Sequence, residues 1–77
     1  MFKATDSIIA ATIDNTTGYI ANILHDREQK TIQDALQEFI HSHTYELLAN
    51  KETGLYWESP AAVINLYLEE KGHPLLA

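Results

Sequence analysis

The chain contains no cysteine, two prolines, three glycines, one tryptophan and five basic residues in 77 positions. Without cysteine there is neither a disulfide framework nor a thiolate zinc site to staple so short a polypeptide. A domain of this size buries only roughly 60% of its unfolded surface, so its stability must come from tight helix packing or from association. Five basic residues against eleven acidic ones give a net charge of −6, a surface that repels phosphate backbones and anionic membranes. No apolar run approaches the ~18 residues of a membrane span. The segment Met1-Phe-Lys-Ala-Thr-Asp6 lacks the apolar centre and small-residue cleavage site of a signal peptide. The expectation from these absences is a cytoplasmic protein with no membrane segment and no direct nucleic-acid binding. Hydrophobic residues make up 45% of the chain, a globular proportion, and no repeat or linker divides it. Residues 1–77 therefore read as a single small domain.

Residues 8–24 admit two readings. Asp14-Asn-Thr-Thr-Gly18 is a plausible turn between two strands. On a wheel of ~100° per residue, however, Ile8, Ile9, Ile13, Thr16, Tyr19, Ile20, Ile23 and Leu24 share one face, and Asp14, Asn15, Gly18, Asn22 and His25 the opposite one. A hairpin has no reason to keep helical phase across its turn, so one long helix over 6–26 is expected. A second helix over 31–41 opens at Thr31-Ile-Gln-Asp34, which has capping-box spacing, and lines up Ile32, Leu36, Phe39 and Ile40 as a narrow apolar stripe.

Ser42 or Thr44 is placed to cap a short third helix over 43–49, with Asn50 as a left-handed stop. Lys51-Glu-Thr-Gly54 reads as a turn, and Leu55-Tyr-Trp57 as an extended, packed segment. The fourth helix, 60–71, carries its own punctuation. Ser59 suits the N-cap and Pro60 the first helical position, while Gly72 closes the helix and Pro74 bars its resumption. Its apolar residues Val63, Ile64, Leu66, Tyr67 and Leu68 cover about 200° of the wheel. Such a helix is expected to be enclosed by the other three or shared with a second copy in a homodimer. The fold class is all-α, a compact arrangement of about four helices.

Phe39-Ile-His-Ser42-His-Thr44-Tyr45-Glu-Leu47-Leu48, followed by Thr53-Gly54-Leu55-Tyr56-Trp57 and Ser59-Pro60, resembles a group of small uncharacterised bacterial helical proteins with a Ser-x-Thr-Tyr-x-Leu-Leu element. The resemblance spans roughly residues 31–70. It implies a helical fold and a bacterial or phage-like source; it implies no activity and carries over no functional residue.

Residues that invite chemistry each have a plainer role. His41 and His43 are the closest of four histidines, but at i, i+2 on a helix they diverge and do not chelate. Ser42 between them has no Gly-rich elbow for an oxyanion, and an N-cap explains it. Glu69 and Glu70 are adjacent, diverge on a helix, and read as a solvated end. The segment 44–50, the reading helix of a helix-turn-helix outline, has no arginine and holds Glu46 at its centre, the reverse of what base readout needs. No catalytic residue, metal ligand or cofactor site is assigned.

The aromatic residues are the best contact candidates, because Trp and Tyr are enriched in binding hot spots. Trp57 is expected to plug the core where helices meet, with an interface role as the alternative. Tyr56, pointing the other way along an extended segment, is then the exposed ring, between Glu52 and Glu58. Leu66 and Tyr67 complete the candidate binding set. The reading favoured by composition is a non-enzymatic, acidic protein–protein interaction module that binds a protein partner or itself, with a regulatory or antitoxin-like role as its specific form. The competing reading is a nucleic-acid-associated regulator that acts only in complex with a basic partner.

Overall fold

The 23-residue helix α1, Asp6–Glu28, is the spine of the molecule. At 1.5 Å per residue it runs about 34 Å, most of the 42 Å long axis. The structure is a computed structural model and describes residues 6–75; residues 1–5 of the segment inspected for a leader, Lys3 among them, lie outside the described residues. Beyond α1 come α2 (Ile32–Ile40), α3 (His43–Ala49), two single 3-10 turns (Lys51–Thr53 and Leu55–Trp57) and α4 (Pro60–Lys71), with no strand among the described residues. The one-helix reading of residues 8–24 holds, and the whole expected polar face is exposed. The buried face is narrower than expected. Ile13, Thr16, Ile20 and Leu24 are buried together with Thr17 and Ala21, whereas Ile8 and Tyr19, at the edge of the apolar arc, are both 42% exposed. Thr17 avoids an unsatisfied buried hydroxyl by donating to the Ile13 carbonyl oxygen at 2.8 Å.

The α1–α2 hairpin is the most extensive helix pair. Its connection needs a left-handed residue, and Gln29 takes it at φ 51° without the help of glycine. Thr31 caps α2, its hydroxyl oxygen accepting from the Asp34 amide at 3.0 Å. The apolar stripe of α2 is only half as expected. Phe39 is fully buried and Leu36 and Ile40 are half-buried, but Ile32 is 43% exposed. A wheel gives the azimuth of a side chain and not its axial level, and Ile32 stands in the first turn, at the end of the helix. Ala35 is fully buried instead; a side chain this small lets two helix axes approach.

Ser42 is the cap of α3: its hydroxyl oxygen accepts from the Tyr45 amide at 3.1 Å and its proton goes to the Phe39 carbonyl oxygen at 2.6 Å. Ser59 caps α4 with Pro60 at the first turn, and Gly72 closes that helix at φ 72°. The amide of His73 bonds the Leu68 carbonyl at 2.9 Å and that of Gly72 the Glu69 carbonyl at 3.1 Å, a Schellman pair. Of the wide arc on α4, Val63, Ile64, Tyr67 and Leu68 are buried and Leu66, at one edge, is 42% exposed. The helix is thus not fully enclosed by the other three.

One apolar cluster joins all four helices: Ile13, Ile20, Ala21 and Leu24 from α1, Ala35 and Phe39 from α2, Leu48 from α3, and the four buried residues of α4. Phe39 is its hub. Its ring meets Tyr45 edge-on at 5.6 Å and Tyr67 at 5.3 Å, with interplanar angles of 82° and 71°. Tilts of this kind suit the aromatic quadrupole.

Candidate interaction surface

The segment between α3 and α4 is not extended. Asn50 is not the left-handed stop expected of it: at φ −85° and ψ 104° it is extended, and its side-chain oxygen accepts from the Glu52 amide at 3.1 Å, starting the first 3-10 turn. Thr53 fastens that turn to α3 by donating to the Leu47 carbonyl oxygen at 2.6 Å, and its hydroxyl oxygen accepts from the Leu55 amide at 3.2 Å. The left-handed residue is Gly54, at φ 71°, which reverses the chain into the second turn. That turn closes with the Trp57 amide on the Gly54 carbonyl and the Glu58 amide on the Leu55 carbonyl, both at 3.0 Å. The ion pair between Lys51 and Asp6, at 3.3 Å, links the region to the start of α1.

A 3-10 turn places successive side chains about 120° apart rather than on alternate sides. Leu55 and Tyr56 accordingly both pack against the core, and Trp57 swings out. The expected assignment of the two rings is reversed: Trp57 is 65% exposed and Tyr56 is half-buried. Their rings meet at 5.1 Å and 39°, so the anchored tyrosine supports the exposed indole. Glu52 and Glu58 are both exposed on either side of this aromatic pair in the chain.

Leu66 and Tyr67 do not belong to one surface. Tyr67 is 3% exposed, and its ring is covered by Phe39 and approached by Lys71 at 5.7 Å. Burial first, then the charges of Glu38 and Glu28, push its phenol above the ordinary value. Tyr67 is therefore a core residue, because it lies in the middle of the α4 arc; Leu66 alone of the pair faces solvent.

Glu70 is not simply a solvated end. Its Oε1 accepts from the Thr44 amide at 2.8 Å and the Thr44 hydroxyl at 2.6 Å, and its Oε2 from the His43 amide at 3.0 Å. A carboxylate from the last turn of α4 thus caps the first turn of α3, where orphan amides and the helix dipole favour negative charge. Partial burial pushes this carboxyl up, but the hydrogen bonds from Thr44 and His43, with the Lys71 charge, outweigh it and hold it below its ordinary value. The partners lie 26 and 27 positions away, so no local spacing announces them.

The histidines are dispersed among separate partners. His41 Nδ1 lies 2.7 Å from the Gln37 carbonyl oxygen, His43 Nδ1 lies 3.3 Å from Glu46, and His25 is paired with the Lys30 carbonyl oxygen. Among the described residues no three metal-ligating side chains converge. A shallow open depression of about 450 Å³ at the hairpin end is lined by His25, Asp26, Gln29, Lys30 and Thr31.

The charges are arranged unevenly. Lys30 binds Glu28 at 2.7 Å and also Glu38, and these hydrogen bonds, Glu28 first, raise its ammonium above the ordinary range. Arg27 donates to the Pro74 carbonyl oxygen at 2.8 Å, Lys51 is held by Asp6, and Lys71 lies over Tyr67. All four basic residues among those described are thus engaged within the chain. Asp14, Asp26, Asp34, Glu52, Glu58 and Glu69 have no ion-pair partner among the described residues. Comparison with protein-family models, with curated proteins and with solved structures gives no match. Among the described residues no helix is long and apolar enough to cross a membrane.

Proposed function

We propose that the chain is a non-enzymatic, acidic protein–protein interaction module, in the manner of a small regulatory or antitoxin-like protein, and that it engages its partner through the aromatic turn at Leu55–Glu58. The observation that carries this reading is Trp57. A lone tryptophan in a small helical domain ordinarily fills the core, and exposing it forgoes one of the largest hydrophobic gains the sequence offers. Here the core is complete without it, and the indole stands outside on a turn held by backbone and side-chain hydrogen bonds. Rigid aromatic side chains on ordered backbone lose little entropy on binding, which is why they anchor interfaces. Leu66 and Tyr19, each 42% exposed, are further apolar side chains at the surface of the domain.

The test compares two variants. Trp57→Ala is expected to cost about 0.5 kcal/mol, the level of a surface substitution. Tyr56→Ala is expected to cost about 1–3 kcal/mol, because its ring is packed against the core. The parent and Trp57→Ala chains are then immobilised and exposed to lysate of the source cells, and sedimentation is run on both. A protein retained by the parent and lost by an equally stable Trp57→Ala chain supports the reading, as does self-association lost in the same variant. Identical retention and identical sedimentation sink it. Retention that requires added nucleic acid favours a regulator working on nucleic acid through a basic partner.

A further inference from the structure

We infer that the partner segment received by this turn is an arginine-bearing basic stretch whose guanidinium stacks on Trp57 while Glu52 and Glu58 neutralise it. The inference rests on the interaction-module reading and adds the chemistry of the partner. Indole is the strongest cation–π acceptor among side chains, and guanidinium stacks on it face to face. The chain shows the contrast internally. Tyr67 has the Lys71 ammonium over its ring at 5.7 Å, whereas Trp57, far more exposed and in ring contact with Tyr56, has no cation over its ring among the described residues.

Charge complementarity points the same way. Glu52 and Glu58 flank the aromatic pair in the chain with no ion-pair partner among the described residues, and the cations nearest in sequence are committed elsewhere: Lys51 to Asp6, and Lys71 to Tyr67. A net charge of −6 adds a long-range field that draws a basic segment in and opposes a second copy of the chain. The backbone offers no open strand edge to add to, since the segment is two 3-10 turns. Affinity must therefore come from side chains, and arginine over lysine is the discriminating choice. Both neutralise a carboxylate, but only guanidinium combines a planar stack on the indole with bidentate hydrogen bonds to a carboxylate.

The test uses the full chain and its single tryptophan. Oligo-arginine and oligo-lysine of equal length are titrated at low and at physiological salt, followed by indole fluorescence and by calorimetry. Saturable binding is expected, with oligo-arginine about five- to tenfold tighter than oligo-lysine. Trp57→Ala, followed by calorimetry, should bring the two peptides to equal affinity. The Glu52→Gln, Glu58→Gln double variant should weaken both several-fold while remaining folded. Equal affinity of the two peptides for the parent overturns the inference, because bulk charge alone then explains binding. So does arginine preference that survives Trp57→Ala. If neither peptide binds yet Trp57→Ala abolishes self-association, the arginine inference falls and the interaction surface stands. If Trp57→Ala changes neither peptide binding nor sedimentation, both fall.

Discussion

Phe39→Ala is expected to leave the chain without a cooperative thermal transition. Phe39 has no solvent exposure and is, among the described residues, the one ring that touches two others, Tyr45 from α3 and Tyr67 from α4. Truncating a buried phenylalanine costs about 3–5 kcal/mol, and the two edge-on contacts place this site toward the upper end. A chain of 77 residues has about 4–12 kcal/mol in total at typical stability per residue. The loss is therefore between about two fifths of the total and all of it. Ile32→Ala is the control on the same helix: it shares the wheel face, yet the residue is 43% exposed and is expected to cost less than about 1 kcal/mol. Circular dichroism melts of the two variants check this. A Phe39→Ala chain that melts within a few degrees of the parent would mean that the three rings do not form the hub.

Glu70→Gln is expected to destabilise the fold by about 1–2 kcal/mol at neutral pH, a lowering of about 5–10 °C in melting temperature. The figure is set toward the value of an N-cap because Glu70 is exposed at one side and its charge is screened. The pH dependence has a definite sign. The folded carboxyl lies below its ordinary value of 4.5, so this stabilisation is fully present above that value and is lost as pH falls through the lowered folded one. Between neutral pH and about pH 3 the parent should therefore lose more stability than Glu70→Gln, and the two melting curves should converge in acid. Parallel curves across that range would show that the α3 amides do not depend on this carboxylate.

Helices were legible where their signals are local. Thr31, Ser42, Ser59, Pro60 and Gly72 stand at ends that backbone chemistry dictates, and all act as read. The phase of α1 was legible through Asp14–Gly18 because a wheel needs only azimuth. What a wheel omits is axial level and the width of the cover. Ile32 at a helix end, Ile8 and Tyr19 at the edge of an arc, and Leu66 beside Tyr67 were misjudged for that reason. Asn50 carried a usable sign, an amide side chain two positions before Glu52, which starts a turn as readily as left-handed backbone stops a helix. The orientation of Tyr56 and Trp57 turned on whether three residues were extended or wound. Nothing within Leu55–Trp57 decides it; Gly54 and the Thr53 bond to Leu47 do. Glu70 had no sequence sign, because only the packing of α3 on α4 brings it to the amides it caps.

On the proposed reading, the aromatic turn divides labour between neighbours. Leu55 and Tyr56 hold the turn to the core, Gly54 and Thr53 fix its direction, and Trp57 is left for contact. Stability and recognition then fall on different side chains, so that Trp57 can be altered at little cost to the fold.

The most direct measurement on that division is quenching of the single tryptophan by ions of opposite charge. In the folded parent, the Trp57 emission should lie close to that of indole in water, and caesium should quench it more effectively than iodide when each is referred to free tryptophan, because the exposed carboxylates of Glu52 and Glu58 concentrate cations there. Raising the salt should narrow the difference. A blue-shifted emission resistant to both quenchers, becoming accessible only on unfolding, would place Trp57 in the core and contradict the account.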